Sequence, residues 1–305
     1  MSRQVSKTFF EHKDGYVAVS DYKLYYKIFG SDHSETLLCV HGGPGLTHDY
    51  ILSMADLAKD GFKVVFYDQL GCGKSDVPKN LNMFTIERAV EDLEGFRREM
   101  NLGKVHLFGS SYGGLLAIAY ALKYQKNLKS LVSAGGLASV PHAIMCMEEL
   151  KAQLSPDVRD VMKKYEDAGD YGNPEYVKAV DVFYKTYFCR LPEWPREVMY
   201  SLEHVSLPVY GTMNGPNEFT VVGNIRHWDV SPQLGRIRVP TLVTAGKYDE
   251  VSPKEARNIH NGIRGSRLVI FQKSAHLTMW EEREKYMNVV QTFLNSVTKK
   301  GQRKH

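Results

Sequence analysis

Apolar and polar positions change rhythm twice along the chain. In the first half, apolar runs of five to nine residues each end in a glycine-rich or acidic turn: TLLCV (36–40), KVVFYD (63–68), KVHLFG (104–109) and LKSLVSAGG (128–136). Near-continuous apolar runs of this length predict parallel strands buried on both faces of a sheet. Between the second and third runs, TIERAVEDLEGFRREM (85–100) predicts a helix with Thr85 as N-cap and Arg88 in its first turn. Strands and helices in alternation predict βαβ units. From about 137 to 235 the pattern turns to Met-, Tyr- and charge-rich helical segments punctuated by SPD, GNPE, LPEWP and NGPNE. After Val239 the strand rhythm returns in TLVTAG (241–246) and SRLVIF (266–271), and REKYMNVVQTFLNSV predicts a closing helix. The pattern predicts one doubly wound α/β core, residues 1–136 and 236–305, with a mostly parallel sheet and an inserted helical cap over 137–235.

Composition narrows the class. A chain of 305 residues, 43% of them hydrophobic, has ample material for a large core. Its net charge of +4 is small and its basic residues are scattered, which argues against a nucleic-acid surface. The one basic run, TKKGQRKH at the C-terminus, reads as a solvated end. Cys39, Cys72, Cys146 and Cys189 show neither CxxC pairing nor an accompanying histidine pattern, so no metal, cofactor or disulfide framework is expected. The N-terminal residues lack an apolar signal-peptide region, and no stretch approaches the ~18 apolar residues of a membrane span. A soluble, cytoplasmic protein with no membrane partner is expected.

The chemistry centres on FGSSYGGLLAIAYA (108–121). Gly109-Ser110-Ser111-Tyr112-Gly113 matches G-x-S-x-G between a predicted strand and a predicted helix, the setting in which a sharp turn exposes a serine Oγ. Ser111 is the nucleophile in this reading; Ser110 is excluded because Phe108 stands where the first glycine would be. A serine hydroxyl needs a general base that is itself oriented by a carboxylate, and in α/β-hydrolases the order is Ser, acid, His. Asp249 follows the run 241–246 and His276 follows the run 266–271, both at carboxyl ends of predicted strands. His227, His260 and Asp229 follow no such run and read as surface residues. The backbone N–H of Tyr112 would supply one oxyanion donor and that of Gly43, in the HGGPG loop after TLLCV, the other, with His41 bracing the loop. DQLGCGKSD (68–76) contains G-K-S, but Asp68 stands where a phosphate-binding loop needs glycine, so it reads as a turn beside the site.

Taken together, HGGPG, DQLGCGKS, GSSYGG, GKYDEVSP and SAHLTMWE, spread over nearly the whole chain, resemble the prolyl iminopeptidases of the α/β-hydrolase superfamily. MNGPNEFT (213–220) resembles the tricorn-interacting-factor type of that family. The resemblance implies an α/β-hydrolase fold and removal of an N-terminal residue, typically proline, from short peptides through an acyl-enzyme on Ser111. It also implies that Glu218 and Glu250 bind the free α-amino group, and it suggests a functional link to an upstream peptide-producing protease. A protonated amine leaving water needs opposing charge, which suits two carboxylates. Tyr184, Tyr187 and Trp194 in the cap are candidates for the pocket wall. A carboxylesterase or amino-acid amidase would share fold and triad, and a non-catalytic receptor or scaffold would share the fold alone.

Overall fold

Eight strands form one sheet in the computed structural model, which describes residues 12–302. Residues 1–11 and 303–305, including much of the N-terminal stretch and the end of the basic run, lie outside the described residues. In chain order the strands are β1 (His12–Val19), β2 (Tyr22–Phe29), β3 (Glu35–Val40), β4 (Phe62–Tyr67), β5 (Val105–Ser110), β6 (Leu128–Ala134), β7 (Thr241–Gly246) and β8 (Arg267–Phe271). Their order across the sheet is β1-β2-β4-β3-β5-β6-β7-β8. From β4 to β8 every neighbouring pair is parallel, whereas β1 and β2 join antiparallel at one edge. All six strands expected from the apolar runs are present, to within two residues at each end. The β1–β2 hairpin was not expected from the pattern. Lys13, Lys23 and Lys27 break up its apolar residues, and β1 lies at the sheet edge with most of its residues exposed or half-buried.

Helix α1 (Ile86–Glu99) starts where the sequence places it, with Thr85 Oγ1 accepting from Arg88 N at 3.1 Å. Helix α2 (Tyr112–Tyr124) follows β5 without a loop. Between β6 and β7 run five helices: α3 (Val140–Lys151), α4 (Pro156–Ala168), α5 (Pro174–Tyr187), α6 (Arg196–Glu203) and α7 (Leu207–Met213). Pro156 and Pro174 open their helices, where a missing N–H costs nothing and the fixed φ suits the first turn. This helical segment has its own apolar cluster, which includes Met162, Tyr176, Phe183 and Phe219. It leaves and rejoins the sheet at a single place: Val140 N donates to Trp228 O at 2.9 Å, and Val230 N to Ala138 O at 2.8 Å. After β7 come α8 (Ser252–Gly262), α9 (Thr278–Glu281) and α10 (Arg283–Gln302).

The continuous apolar runs are explained by burial on both sheet faces. Leu38, Val65 and Leu107 point to the cluster shared with α1, α2 and α8, while their neighbours Leu37, Val64 and Phe108 point to the cluster under α10 and the helical stretch His48–Asp60. Alternating side chains thus meet apolar surroundings on both sides. Register aligns the strand ends: Val40 lies opposite Gly109, Ser110 opposite Ala134, and Gly246 opposite Phe271. The loops that follow β3, β5, β7 and β8 therefore emerge along one edge of the sheet, the place where open α/β sheets form their sites.

Candidate active site

The turn from β5 into α2 places Ser111 at φ 58° and ψ −128°, an unusual backbone conformation for a residue with a side chain. Ser111 N donates to Ala134 O at 2.9 Å, tying the turn to β6. The flanking glycines are required by close approach: a Cβ on Gly109 would sit 2.1 Å from Gly113 O, and one on Gly113 would sit 2.3 Å from Val40 O. Tyr112 opens α2, and its N–H points out of the first turn, where helix N–H groups have no intrahelical acceptor. Its side chain is buried on the opposite side, with the hydroxyl 3.9 Å from Met213 Sδ.

His276 is buried, with Nδ1 2.7 Å from Asp249 Oδ1. Asp249 is held in turn by Val251 N, which donates to Oδ1 at 3.0 Å. The backbone of α5 fixes this pair from above: Tyr187 O accepts from both Glu250 N at 3.0 Å and His276 N at 3.2 Å. The Phe188 ring stacks on the imidazole with centroids 5.8 Å apart. With Nδ1 committed to Asp249, Nε2 is the nitrogen left to exchange a proton.

The HGGPG loop is pinned from below. The Tyr50 hydroxyl accepts from Gly42 N at 2.7 Å and donates to Ser110 O at 3.1 Å, joining the loop to the serine turn. Burial lowers the His41 pKa to about 4, so the ring is neutral; its Nδ1 donates to Gly42 O at 3.0 Å and its Nε2 accepts from Gln69 N at 3.0 Å. His41 therefore braces the loop, as the sequence suggests. Gly43 adopts φ 114°, and among the described residues no acceptor takes its N–H. The turn after β4 closes on its own carboxylate: Asp68 accepts from His48 N at 2.9 Å and from Lys74 N at 3.0 Å.

Gly43, Ser111, His276, Glu218 and Glu250 all line one cavity of about 270 Å³. Glu218 comes from the segment after α7, and its Oε2 accepts from the Tyr210 hydroxyl at 2.8 Å. Glu250 is 3% exposed and among the described residues its Oε2 has no hydrogen-bond partner; its Oε1 lies 3.8 Å from His276 Nε2. Burial raises the Glu250 pKa well above the usual carboxylate range, opposed by His276 and reinforced by Glu218 and Asp249. Burial likewise raises that of Glu218, opposed by the Tyr210 hydrogen bond and by His276. For His276, burial alone would lower the pKa, but Asp249, Glu250 and Glu218 outweigh it and raise it to about 9. A serine, a carboxylate-oriented imidazole, the Gly43 N–H and a pair of carboxylates thus line one enclosure, with the Tyr112 N–H next in the chain after the serine. This set can acylate and deacylate a serine while holding a cation.

A model of the alpha/beta hydrolase fold matches residues 35–164. The chain is 46% identical over 290 residues to a proline iminopeptidase of Saccharolobus solfataricus, covering 93% of each chain. It is 46% identical over 285 residues to one of Thermoplasma volcanium, covering 92% of this chain and 96% of that relative. The chain belongs to the proline iminopeptidase family of α/β hydrolases. The crystal structure of a proline iminopeptidase from Mycobacterium smegmatis superposes with a TM-score of 0.88 at 31% identity, covering 93% of this chain and 98% of that one. Agreement over nearly the full length includes the helical segment between β6 and β7, which the fold model only begins to cover.

Within this family member, the cap aromatics separate into different roles. Tyr184 lines the cavity; Tyr187 contributes its carbonyl; Trp194 packs on Phe188 and donates Nε1 to Cys189 O at 3.1 Å. Phe188, Tyr210 and Tyr50 also line the cavity and were not singled out in the sequence, since no strand end or motif marks them. His227 and Asp229 are exposed, and His260 is bonded to Ser266 Oγ at 2.8 Å, away from the cavity. All four cysteines are buried and free.

Proposed function

We propose that the chain is a serine exopeptidase that releases N-terminal proline, and other small apolar residues, from short peptides. The observation that carries this reading is the shared cavity. Ser111 opens into the same enclosure as Glu218 and the unpartnered Glu250 carboxylate, so a cation bound there puts the adjoining carbonyl at the serine. The substrate's ammonium supplies the missing partner of Glu250, and a blocked amine would strand a buried carboxylate. At about 270 Å³ the enclosure lies at the small end of ligand pockets, which suits a terminal residue rather than a chain passing through.

In the proposed reaction, Ser111 Oγ attacks the carbonyl while His276 Nε2 takes its proton, and Asp249 holds the imidazole tautomer and stabilises the imidazolium. The N–H groups of Gly43 and Tyr112 bind the oxyanion. The imidazolium then protonates the leaving amine, and water repeats the sequence on the acyl-enzyme. We further propose that the peptides come from an upstream protease, that the enzyme works in the cytoplasm, and that it falls in the tricorn-interacting-factor type. Support for the last is confined to the 213–220 segment. Among the described residues, no helix is long and apolar enough to cross a membrane.

The test is Glu218→Gln, measured on proline anilide and on an acetate ester. Losing one partner of a buried charge pair costs about 2–5 kcal/mol, or roughly thirty- to several-thousand-fold in kcat/KM for the anilide. The ester, which has no amine, should keep most of its rate. No loss on either substrate would return the esterase reading to first place. Absence of turnover on both by the unaltered protein, together with failure of serine-directed probes to label it, would favour a receptor or scaffold.

A further inference from the structure

The nitrogen that must accept the serine's proton faces a carboxylate that the triad does not require. His276 Nδ1 is held by Asp249 Oδ1 at 2.7 Å, and on the other side of the same ring Glu250 Oε1 lies 3.8 Å from Nε2. Glu250 accepts no hydrogen bond among the described residues, is almost fully buried, and follows Asp249 directly, so the two carboxylates flank one imidazole from a single loop. Glu218 lines the same cavity and adds its charge to the field at the ring. From α9, Glu281 adds a more distant negative charge, although its oxygens are occupied by Arg190 N at 2.8 Å and Ala275 N at 2.9 Å. The remaining titratable neighbours are the phenols of Tyr184 on α5, Tyr210 on α7 and Tyr50 on the His48–Asp60 stretch, all of them kept neutral by burial. Among the described residues, no lysine or arginine lines the cavity. An imidazole so surrounded is stabilised as its cation, and a cation at Nε2 cannot act as a base.

We propose that Glu250 holds His276 in its unreactive, protonated form until the substrate's own ammonium takes over that carboxylate, so that capture of the amino terminus and release of the general base are one event. The inference rests on the reading of Glu218 and Glu250 as ammonium ligands and adds a second task for Glu250. The proton balance is simple. As the substrate ammonium neutralises Glu218 and Glu250, the imidazolium loses its Nε2 proton to solvent and keeps its Nδ1–H on Asp249. Ser111 Oγ–H then passes its proton to the vacated Nε2 as the Oγ–carbon bond forms. The raised proton affinity that Asp249, Glu250 and Glu218 give His276 against its burial agrees with this order of events. Selection for a free amino terminus then operates on turnover as well as on binding, since a neutral substrate enters a cavity whose base is still charged.

The experiment compares the acid limb of the kcat–pH profile for two substrates, because kcat reports groups in the bound complex. With p-nitrophenyl acetate the limb should lie about one pH unit or more above that with proline p-nitroanilide, a tenfold rate gap at any pH below both limbs. In Glu250→Gln the acetate limb should move down by about one unit. Coincident limbs in the unaltered enzyme, or an acetate limb unmoved in Glu250→Gln, overturn the proposal. A second measurement does not depend on that variant folding. In Ser111→Ala, which retains every charge, the NMR titration midpoint of the His276 ring should fall by about one unit when prolinamide saturates the site. An unchanged midpoint overturns the coupling. The two readings fail differently: if Glu250→Gln slows the anilide but leaves the acetate limb in place, only the coupling is lost, whereas if it costs the anilide nothing, the ammonium-binding reading falls as well.

Discussion

Tyr50 carries a consequence out of proportion to its single hydroxyl. That group accepts from Gly42 N and donates to Ser110 O, so one side chain sets the spacing between the loop that offers the Gly43 N–H and the turn that holds Ser111. Tyr50→Phe leaves a buried N–H and a buried carbonyl unpaired, and each group so stranded costs about 1–3 kcal/mol. Chemical denaturation should register that loss. The kcat for proline anilide should also fall, by less than the about 10²–10³-fold that follows outright removal of an oxyanion donor. A loss of stability with kcat unchanged would confine Tyr50 to scaffolding. At this scale the sequence was most informative for residues just past the end of an apolar strand: Ser111 stands one position beyond β5, Asp249 three beyond β7 and His276 five beyond β8. Tyr50 was illegible because it lies in a helical stretch with no motif, and the residue it serves is sixty positions away. Tyr184, Tyr187 and Trp194 could not be ranked for a related reason: aromatic residues in short amphipathic helices look alike until the helices are packed.

Among the elements, α8 does more than cover the sheet. Its Glu255 is fully buried and accepts from Ala138 N at 2.6 Å and Ser139 N at 3.2 Å, while its other oxygen meets His142 Nδ1 and Asn258 Nδ2. One carboxylate thus clasps the start of α3, where the helical segment leaves the sheet, and a negative charge at a helix N-terminus adds favourable electrostatics. Glu255→Ala strands two backbone donors at about 1–3 kcal/mol each, whereas Glu255→Gln keeps an oxygen facing them. Thermal denaturation should rank the unaltered protein above Gln and Gln well above Ala; equal melting temperatures for the two variants would show that the clasp is not holding the junction. The strands of the parallel sheet were legible because apolar neighbours on both faces write a continuous run. The β1–β2 hairpin was not, because an edge position and three lysines leave neither a run nor a clean alternation. The helical character of 48–60 was missed between two strands whose own signals were stronger.

For the whole molecule, buried histidines shape stability against pH from both sides. Burial lowers His41 and His106 to about 4 in the fold against 6.5 when free, so the unfolded chain binds the extra protons between those values and stability declines as pH falls from about 6.5 towards 4. His276 has the opposite sign. Burial would lower it, but Asp249, Glu250 and Glu218 raise it to about 9, so the folded chain holds a proton that the unfolded chain releases. Its contribution is fully present below about 6.5 and is lost as pH climbs through 9. One proton difference corresponds to about 1.4 kcal/mol per pH unit. The melting temperature should therefore decline from about pH 6.5 towards 9; a melting temperature that climbs steadily from pH 7 to 9 would contradict this. The paired backbone at Ala138–Val140 and Trp228–Val230 has a different kind of consequence. Because the chain departs and returns side by side, everything between forms a cassette with adjacent ends; its exchange for a longer or shorter one leaves the strand order untouched, provided the replacement again supplies a carbonyl and a ring where Tyr187 and Phe188 hold His276. Variation in what this scaffold accepts can accumulate in the cassette, while Ser111, Asp249 and His276 stay on the loops that follow β5, β7 and β8.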